Sequence, residues 1–152
     1  MKNIIVCDLD GTLANCEHRV HYVRNKPKNW DAFYAGVRDD TVNGAVLYVL
    51  SQFLYHGYSA FEIIFCSGRP ERCREDTVWW LNEECRIWLP PVTRLLMRKD
   101  GDYRADYIVK QEIYDTHIKG KDVLFVLDDR QQVVDMWRRN GLTCFQVAEG
   151  NF

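Results

Sequence analysis

Three short stretches carry residue types suited to phosphoryl chemistry: Asp8-Leu9-Asp10-Gly11-Thr12, Ser67-Gly68-Arg69 and Asp128-Asp129-Arg130. Each follows an apolar run that reads as a buried strand, so each falls at the carboxyl end of its strand, where open α/β sheets bind ligands. Carboxylates from separate strand ends would meet at one spot, repel, and resist ionisation. A hard cation such as Mg²⁺ resolves that conflict, because it takes oxygen ligands and keeps room for water and a phosphate oxygen. Phosphoryl transfer needs an in-line nucleophile, neutralisation of the transferring oxygens and a proton for the leaving group. Asp8 can be the nucleophile, forming an aspartyl-phosphate. Asp10, two residues past the strand end, can protonate the leaving oxygen and then activate water. Ser67, Arg69 and Lys110 can bind the phosphate, with Lys110 a compact positive charge near the nucleophile.

The elements that must position these groups are legible as runs. Strands are predicted over Asn3 to Asp8, Phe61 to Ser67, Val123 to Asp128 and Leu142 to Val147, with a weaker one over Thr93 to Met97 after the Pro90-Pro91 break. Near-continuous hydrophobicity, as in Val-Leu-Phe-Val-Leu, suits parallel strands covered on both faces. Helices are predicted from about Thr41 to His56, capped by Asp40 and stopped by Gly57, and from about Glu71 to Arg86, Arg104 to His117 and Gln131 to Asn140. The alternation implies an α/β fold, a Rossmann-like three-layer sandwich with a central, mostly parallel sheet. Residues 14–39 break the alternation with a charged and aromatic stretch, read as a small cap or substrate loop inserted after the first strand. The whole of 1–152 is read as one domain.

Bulk properties narrow the classes. Of 152 residues, 47% are hydrophobic, with five Trp, eight Tyr and seven Phe, enough for a core without a metal or disulfide staple. A net charge of −2 argues against coating long nucleic acid but not against a small site for a strand end. No run is long enough to span a membrane, and no signal peptide precedes the first strand, so no membrane partner and a cytoplasmic location are expected. The six Cys include no C-x-x-C pair. Cys16, His18 and His21 are read as solvated or substrate-facing loop residues, because their spacing fits no zinc pattern. Trp30, Phe33 and Tyr34 suit either base stacking or packing of the cap. Trp79, Trp80, Trp88 and Trp137 are read as core or helix-packing residues. Arg19, Arg24, Lys26, Lys28 and Arg38 cluster in the cap, so recognition of a terminal phosphate and last nucleotide is expected. Asp106 and Lys110, four apart on a helix, suit either a surface pair or a working one.

Asp8-x-Asp10-Gly11-Thr12-Leu13, Ser67-Gly68-Arg69, a helical Lys110 and Asp128-Asp129, in that order, resemble the motif set of the haloacid dehalogenase superfamily. The resemblance implies a phosphatase with Mg²⁺ held by the Asp8 carboxylate, the Asp10 backbone carbonyl and Asp128, with Asp129 secondary. Arg104-x-Asp106-x-x-Val109-Lys110-x-Glu112, the run from Asp128 to Gly141, and Gln146-Val147-Ala148-x-Gly150-x-Phe152 are similar to the 3′-phosphatase domain of T-even bacteriophage polynucleotide kinase-phosphatases. That likeness implies substrate or phosphate contacts from Arg19, Arg69 and Asp106, and Thr12, Ser67 and Gly68 of the strand-end motifs are further candidates for the same contacts. It also implies a 3′-phosphorylated nucleic acid end or nucleotide as substrate. A nucleoside monophosphate phosphatase and a non-catalytic binder of nucleic acid ends are the alternatives. No G-x-x-x-x-G-K-[ST] occurs, so no ATP or kinase site is expected. The oligomeric state is left open.

Overall fold

The computed structural model describes residues 3–56, 60–88 and 93–152. Five parallel strands form the central sheet: β1 (Asn3–Cys7), β4 (Phe61–Pro70), β5 (Thr93–Arg98), β6 (Val123–Asp128) and β7 (Cys144–Gln146), in the order β5-β4-β1-β6-β7. Two residues each of β2 (Ala14–Asn15) and β3 (Thr41–Val42) make a separate antiparallel pair.

Alternation along β1 shows why the strands are apolar throughout. Ile5 and Cys7 enter one core, with Val46 and Leu50 of α3 (Gly44–His56) and Trp80 and Leu81 of α4 (Arg74–Glu83). Ile4 and Val6 enter the other, with Tyr107 and Ile113 of α5 (Asp106–Ile113) and Val133, Val134, Met136 and Trp137 of α6 (Gln131–Arg139). Successive strand side chains point to opposite faces, so a strand covered twice must be apolar at every position.

Strand order then fixes where chemistry can occur. From β1 the chain steps to β4 and β5 on one side, then returns to β6 and β7 on the other. The switch point lies between β1 and β6, where crossovers diverge and leave a crevice at the carboxyl ends. Register pairs Cys7 with Leu127, which sets Asp8 and Asp128 level at adjacent strand ends. On β4 the register to β5 jumps between Ser67 and Pro70, leaving Gly68 and Arg69 as an irregularity that re-aims the strand end.

Several predicted elements differ. The third helix begins at Gly44, and Thr41–Val42 is strand; Asp40 is therefore no helix cap but a buried carboxylate. Glu71–Cys73 is a 3₁₀ turn and α4 ends at Glu83, short of Arg86. The helix carrying Lys110 is α-helical only over Asp106–Ile113 and widens into a π turn over Tyr114–Ile118. Within residues 14–39 the chain forms α1 (Glu17–Arg24) and α2 (Trp30–Ala35), not a loop, packed by Val20, Val23 and Phe33. Cys16 is buried there, not solvated. Trp80 and Trp137 are core residues as expected, but Trp79 and Trp88 are 36% and 55% exposed. The predicted stop at Gly57 and the Pro90-Pro91 break lie outside the described residues. No described helix is long and apolar enough to cross a membrane.

Trp80 joins the core to the site: it is fully buried, and its indole N–H donates to the Asp40 backbone carbonyl at 2.7 Å. Trp80→Ala should lose about 3–5 kcal/mol of stability, as large-to-small core changes do. Tyr48→Ala, at a side chain 68% exposed, should stay within about 0.5 kcal/mol. Urea unfolding of both variants checks the contrast, and similar midpoints would refute it.

Candidate active site

Asp8, Asp128 and Asp129 are all buried, and one carboxylate oxygen of each lies within 4.8 Å of the others. β1 delivers the first, and the end of β6 delivers the other two. Lys110 reaches the cluster from α5. Its ammonium donates to Asp8 Oδ1 at 2.7 Å and Asp128 Oδ2 at 3.0 Å, and lies 3.5 Å from Asp106 Oδ2. The Thr12 hydroxyl lies 3.0 Å from Asp8 Oδ2 and 3.4 Å from Asp129 Oδ1. Both Asp8 oxygens are therefore held. Asp128 is oriented by the Trp137 indole N–H at 3.1 Å and by the Asp129 backbone N–H at 2.9 Å.

The electrostatics of this cluster call for more positive charge than Lys110 supplies. Burial raises the Asp8 pKa well above its usual range; Lys110 opposes the rise, and Asp128 and Asp129 add to it. Burial, then Asp128, raises Asp129 to about 6. For Lys110, burial favours the neutral form, but Asp106, Asp128 and Asp8 outweigh it and keep the amine protonated. Asp129 Oδ2 is buried without a hydrogen-bond partner. An orphaned carboxylate oxygen beside two more carboxylates is the donor set a divalent cation takes. Gly11, at φ +86°, leaves the space that this oxygen needs: a Cβ there would collide with Asp129 Oδ2.

A second charged network adjoins the first. Asp10 Oδ1 accepts from Arg19 Nη2 and Arg69 Nη2, each at 2.5 Å. Asp40 holds the same two guanidiniums from the other side: Arg19 at 2.7 and 2.6 Å, Arg69 at 3.0 Å. His18 Nε2 lies 2.8 Å from Asp40 Oδ1. Burial alone would raise the Asp10 pKa, but Arg69 and then Arg19 outweigh it and bring it to about 2. Arg19 and Arg69 are thus buried and committed to carboxylates, and Arg69 also donates to the Thr77 hydroxyl at 3.1 Å.

The other expected site residues fall nearby. Ser67 is buried, and its hydroxyl oxygen accepts from the Arg69 backbone N–H at 3.1 Å. Gly68 and Asp106 line a narrow pocket of about 50 Å³ with Asp8 and Asp10, and with Trp30, Phe33 and Tyr34 of the 14–39 segment. A Cβ at Gly68 would strike Asp106 Oδ1. Sequence reading missed three contributors. Asp40, placed like a helix cap in the sequence, holds Arg19 and Arg69. Arg98 crosses from β5 to donate to the Gly68 carbonyl at 2.8 Å and Asp106 Oδ1 at 3.3 Å. Trp137, read as packing alone, also holds Asp128.

Removing one partner of a buried ionic network strands the others. Asp40→Ala leaves Arg19 and Arg69 sharing Asp10 alone, and should cost about 3–5 kcal/mol. Asp39→Ala, next door but exposed, should cost under about 0.5 kcal/mol. Chemical denaturation of the two variants checks this; equal, small losses would show that the network contributes little.

Comparisons with known proteins agree with this geometry. The family model described as polynucleotide kinase PNKP phosphatase domain matches residues 2–152. A protein of Autographa californica nuclear polyhedrosis virus, provisionally named a bifunctional polynucleotide kinase/RNA ligase, is 32% identical over 135 residues, covering 88% of this chain and 17% of that protein. A chain from a structure of the Pnkp1/Rnl/Hen1 RNA repair complex superposes with a TM-score of 0.78 at 37% identity, over 100% of this chain and 44% of that one. A haloacid dehalogenase-like hydrolase of Streptococcus pneumoniae shares the fold, with a TM-score of 0.65 at 13% identity over 95% of this chain and 84% of its own. The chain thus spans less than half of the repair-complex chain and a small part of the viral protein. With the family model matched across almost its whole length, this chain belongs to the polynucleotide kinase phosphatase-domain family of haloacid dehalogenase phosphatases.

Proposed function

We propose that residues 1–152 form a single catalytic unit, with 14–39 as its cap, that removes 3′-phosphates from nucleic acid ends during repair in the cytoplasm. The observation that carries the reading is the convergence of Asp8, Asp128 and Asp129, with Asp8, Asp10 and Asp129 lining a narrow pocket and Lys110 bridging Asp8 and Asp128. Kinship with polynucleotide repair proteins supports a nucleic acid end as substrate. No 5′-kinase step is assigned to these residues.

Mg²⁺ bound by Asp8, Asp128 and the Asp10 backbone carbonyl, with Asp129 assisting, would offset carboxylate repulsion and charge on the phosphate oxygens. Lys110 and Thr12 fix the plane of the Asp8 carboxylate from its two oxygens. An Asp8 oxygen bonds to phosphorus as the bond from phosphorus to the 3′ oxygen breaks. The electron pair leaves with that oxygen, which receives a proton from Asp10. In the free site Arg69 and Arg19 keep Asp10 ionised despite its burial. The incoming phosphate places negative charge beside the same guanidiniums and so favours Asp10 holding a proton. In the second half, Asp10 takes a proton from water as that water attacks phosphorus, and the bond to Asp8 breaks to release inorganic phosphate. Gly68 lines the pocket, so the backbone comes close to where the phosphate must sit.

Asp8→Asn should lower phosphate release from a 3′-phosphorylated oligonucleotide by roughly 10⁴-fold or more, since an amide is no anionic nucleophile. The circular dichroism spectrum should not change. A chelator should abolish wild-type turnover and Mg²⁺ should restore it. A phosphate-release assay on a panel including free nucleoside monophosphates checks both points. Near-wild-type rates from Asp8→Asn, or full activity in chelator, would refute the mechanism. Turnover of mononucleotides alone would hand the site to the nucleotide-phosphatase reading.

A further inference from the structure

Two open cavities continue outward from the catalytic pocket. The first, of about 270 Å³, shares Trp30, Tyr34, Arg98 and Arg130 with that pocket. The second, of about 440 Å³, shares Lys28, Trp30, Arg72 and Tyr103 with the first. Trp30 borders all three, so a path runs from Asp8 to the outer surface along one aromatic side chain.

The chemistry of this path is uneven in an informative way. The 270 Å³ cavity is bordered by Lys28, Arg72, Arg98, Arg104 and Arg130 against only Asp102 and Asp106, in a chain whose net charge is −2. Three of those arginines are engaged in holding the protein together, Arg130 by donating to the Phe152 carbonyl at 2.7 Å. Arg98 donates to the carbonyls of Gly68, Asp102 and Arg104, and Arg104 bridges Asp102 and Glu112. Lys28 and Arg72 are placed differently. The Lys28 ammonium lies 5.3 Å over the Trp30 ring; Arg72 lies 5.9 Å over Tyr34, and its ion pair with Asp31 is at the surface. Trp30 and Tyr34 are stacked at 5.9 Å and 21°. Tyr103 is 81% exposed, and both outer cavities touch it. So exposed a ring contributes little to the core, yet it stands where a flat group entering the path would meet it.

Cations alternating with aromatic rings along an open path suit a single strand, whose unpaired bases stack while its phosphates are neutralised. We infer that this path is a track for the last two nucleotides of a single-stranded 3′ end. The terminal nucleoside occupies the cavity beside the catalytic pocket, next to Trp30 and Tyr34. The base before it stacks on Tyr103, and the phosphate joining the two nucleotides is met by Lys28 and Arg72. The inference rests on reading the site as a 3′-phosphatase and adds to it the segment of strand that is gripped.

The test compares kcat/KM on a 3′-phosphorylated mononucleotide, dinucleotide and octanucleotide. Wild type should gain steeply from one nucleotide to two and little thereafter. Tyr103→Ala should shrink the dinucleotide-to-mononucleotide ratio roughly five- to a hundredfold, the range for losing one base–aromatic stack. The loss should fall on KM rather than kcat, and Tyr103→Phe should restore the ratio. Lys28→Ala with Arg72→Ala should flatten the salt dependence on the dinucleotide by roughly 0.7 log units per lost phosphate contact. A ratio untouched by Tyr103→Ala, or equal losses on all three substrates, would overturn the track. Binding of a fluorescent 3′-phosphorylated octanucleotide to Asp8→Asn, with and without Tyr103→Ala, separates the two levels. Binding that depends on Tyr103 without any wild-type turnover would retain the track and reject the phosphatase reading. Turnover with Tyr103-independent binding would do the reverse.

Discussion

Three carboxylates held within 4.8 Å of one another, away from water, are the constraint around which the remainder of the protein is arranged. Burial raises the pKa of Asp8 and Asp129, and the neighbouring carboxylates raise both further. Positive charge must be supplied at fixed positions or the cluster protonates. Lys110 is the protein's own answer, and its burial is tolerable only because three acids surround it. This requirement explains why α5 must lie against the sheet with Lys110 turned inward, and why Trp137 of α6 spends its indole N–H on Asp128. The residual excess of negative charge, with Asp129 Oδ2 unsatisfied, fits a divalent cation.

A second balance ties the 14–39 segment to the sheet. Arg19 comes from α1, Arg69 from the irregular end of β4, Asp10 from the turn after β1, and Asp40 from the approach to β3. The guanidiniums match the carboxylates in number, and the hydrogen bonds are short. Trp80, through the Asp40 carbonyl, links this network to the core. The arginines that set the charge state of Asp10 therefore also tie the 14–39 segment to the sheet.

Some of this could be read from sequence and some could not. The strand-end motifs were legible because a buried parallel strand must be apolar throughout, so a sudden Asp-x-Asp or Asp-Asp marks its end. Asp106 and Lys110 were visible as a spacing, but burial decides between a surface pair and a working one, and spacing carries no burial. Asp40 was misread because an Asp before an apolar periodic run is also what a helix cap looks like; its partners lie 21 and 29 residues away. Arg98 gave no signal, since its role depends on which carbonyls the turn after β5 exposes. The two helices within 14–39 are short and polar outside, so periodicity could not separate them from a loop. Trp79 and Trp88 show the limit of reading large aromatics as core: the first lies under Arg38, 4.8 Å from its ring, at the surface.

The central claim, that Asp8 takes the phosphoryl group, is tested most directly by acid-quenching wild-type enzyme during turnover and mapping the adduct by mass spectrometry. The expected result is a phosphoryl group on the peptide carrying Asp8, acid-stable, lost in hydroxylamine, and absent from Asp8→Asn. Phosphate release proceeding in steady state with inversion rather than retention of configuration at phosphorus, and no adduct at any quench time, would mean that water attacks directly, contradicting the role assigned to Asp8.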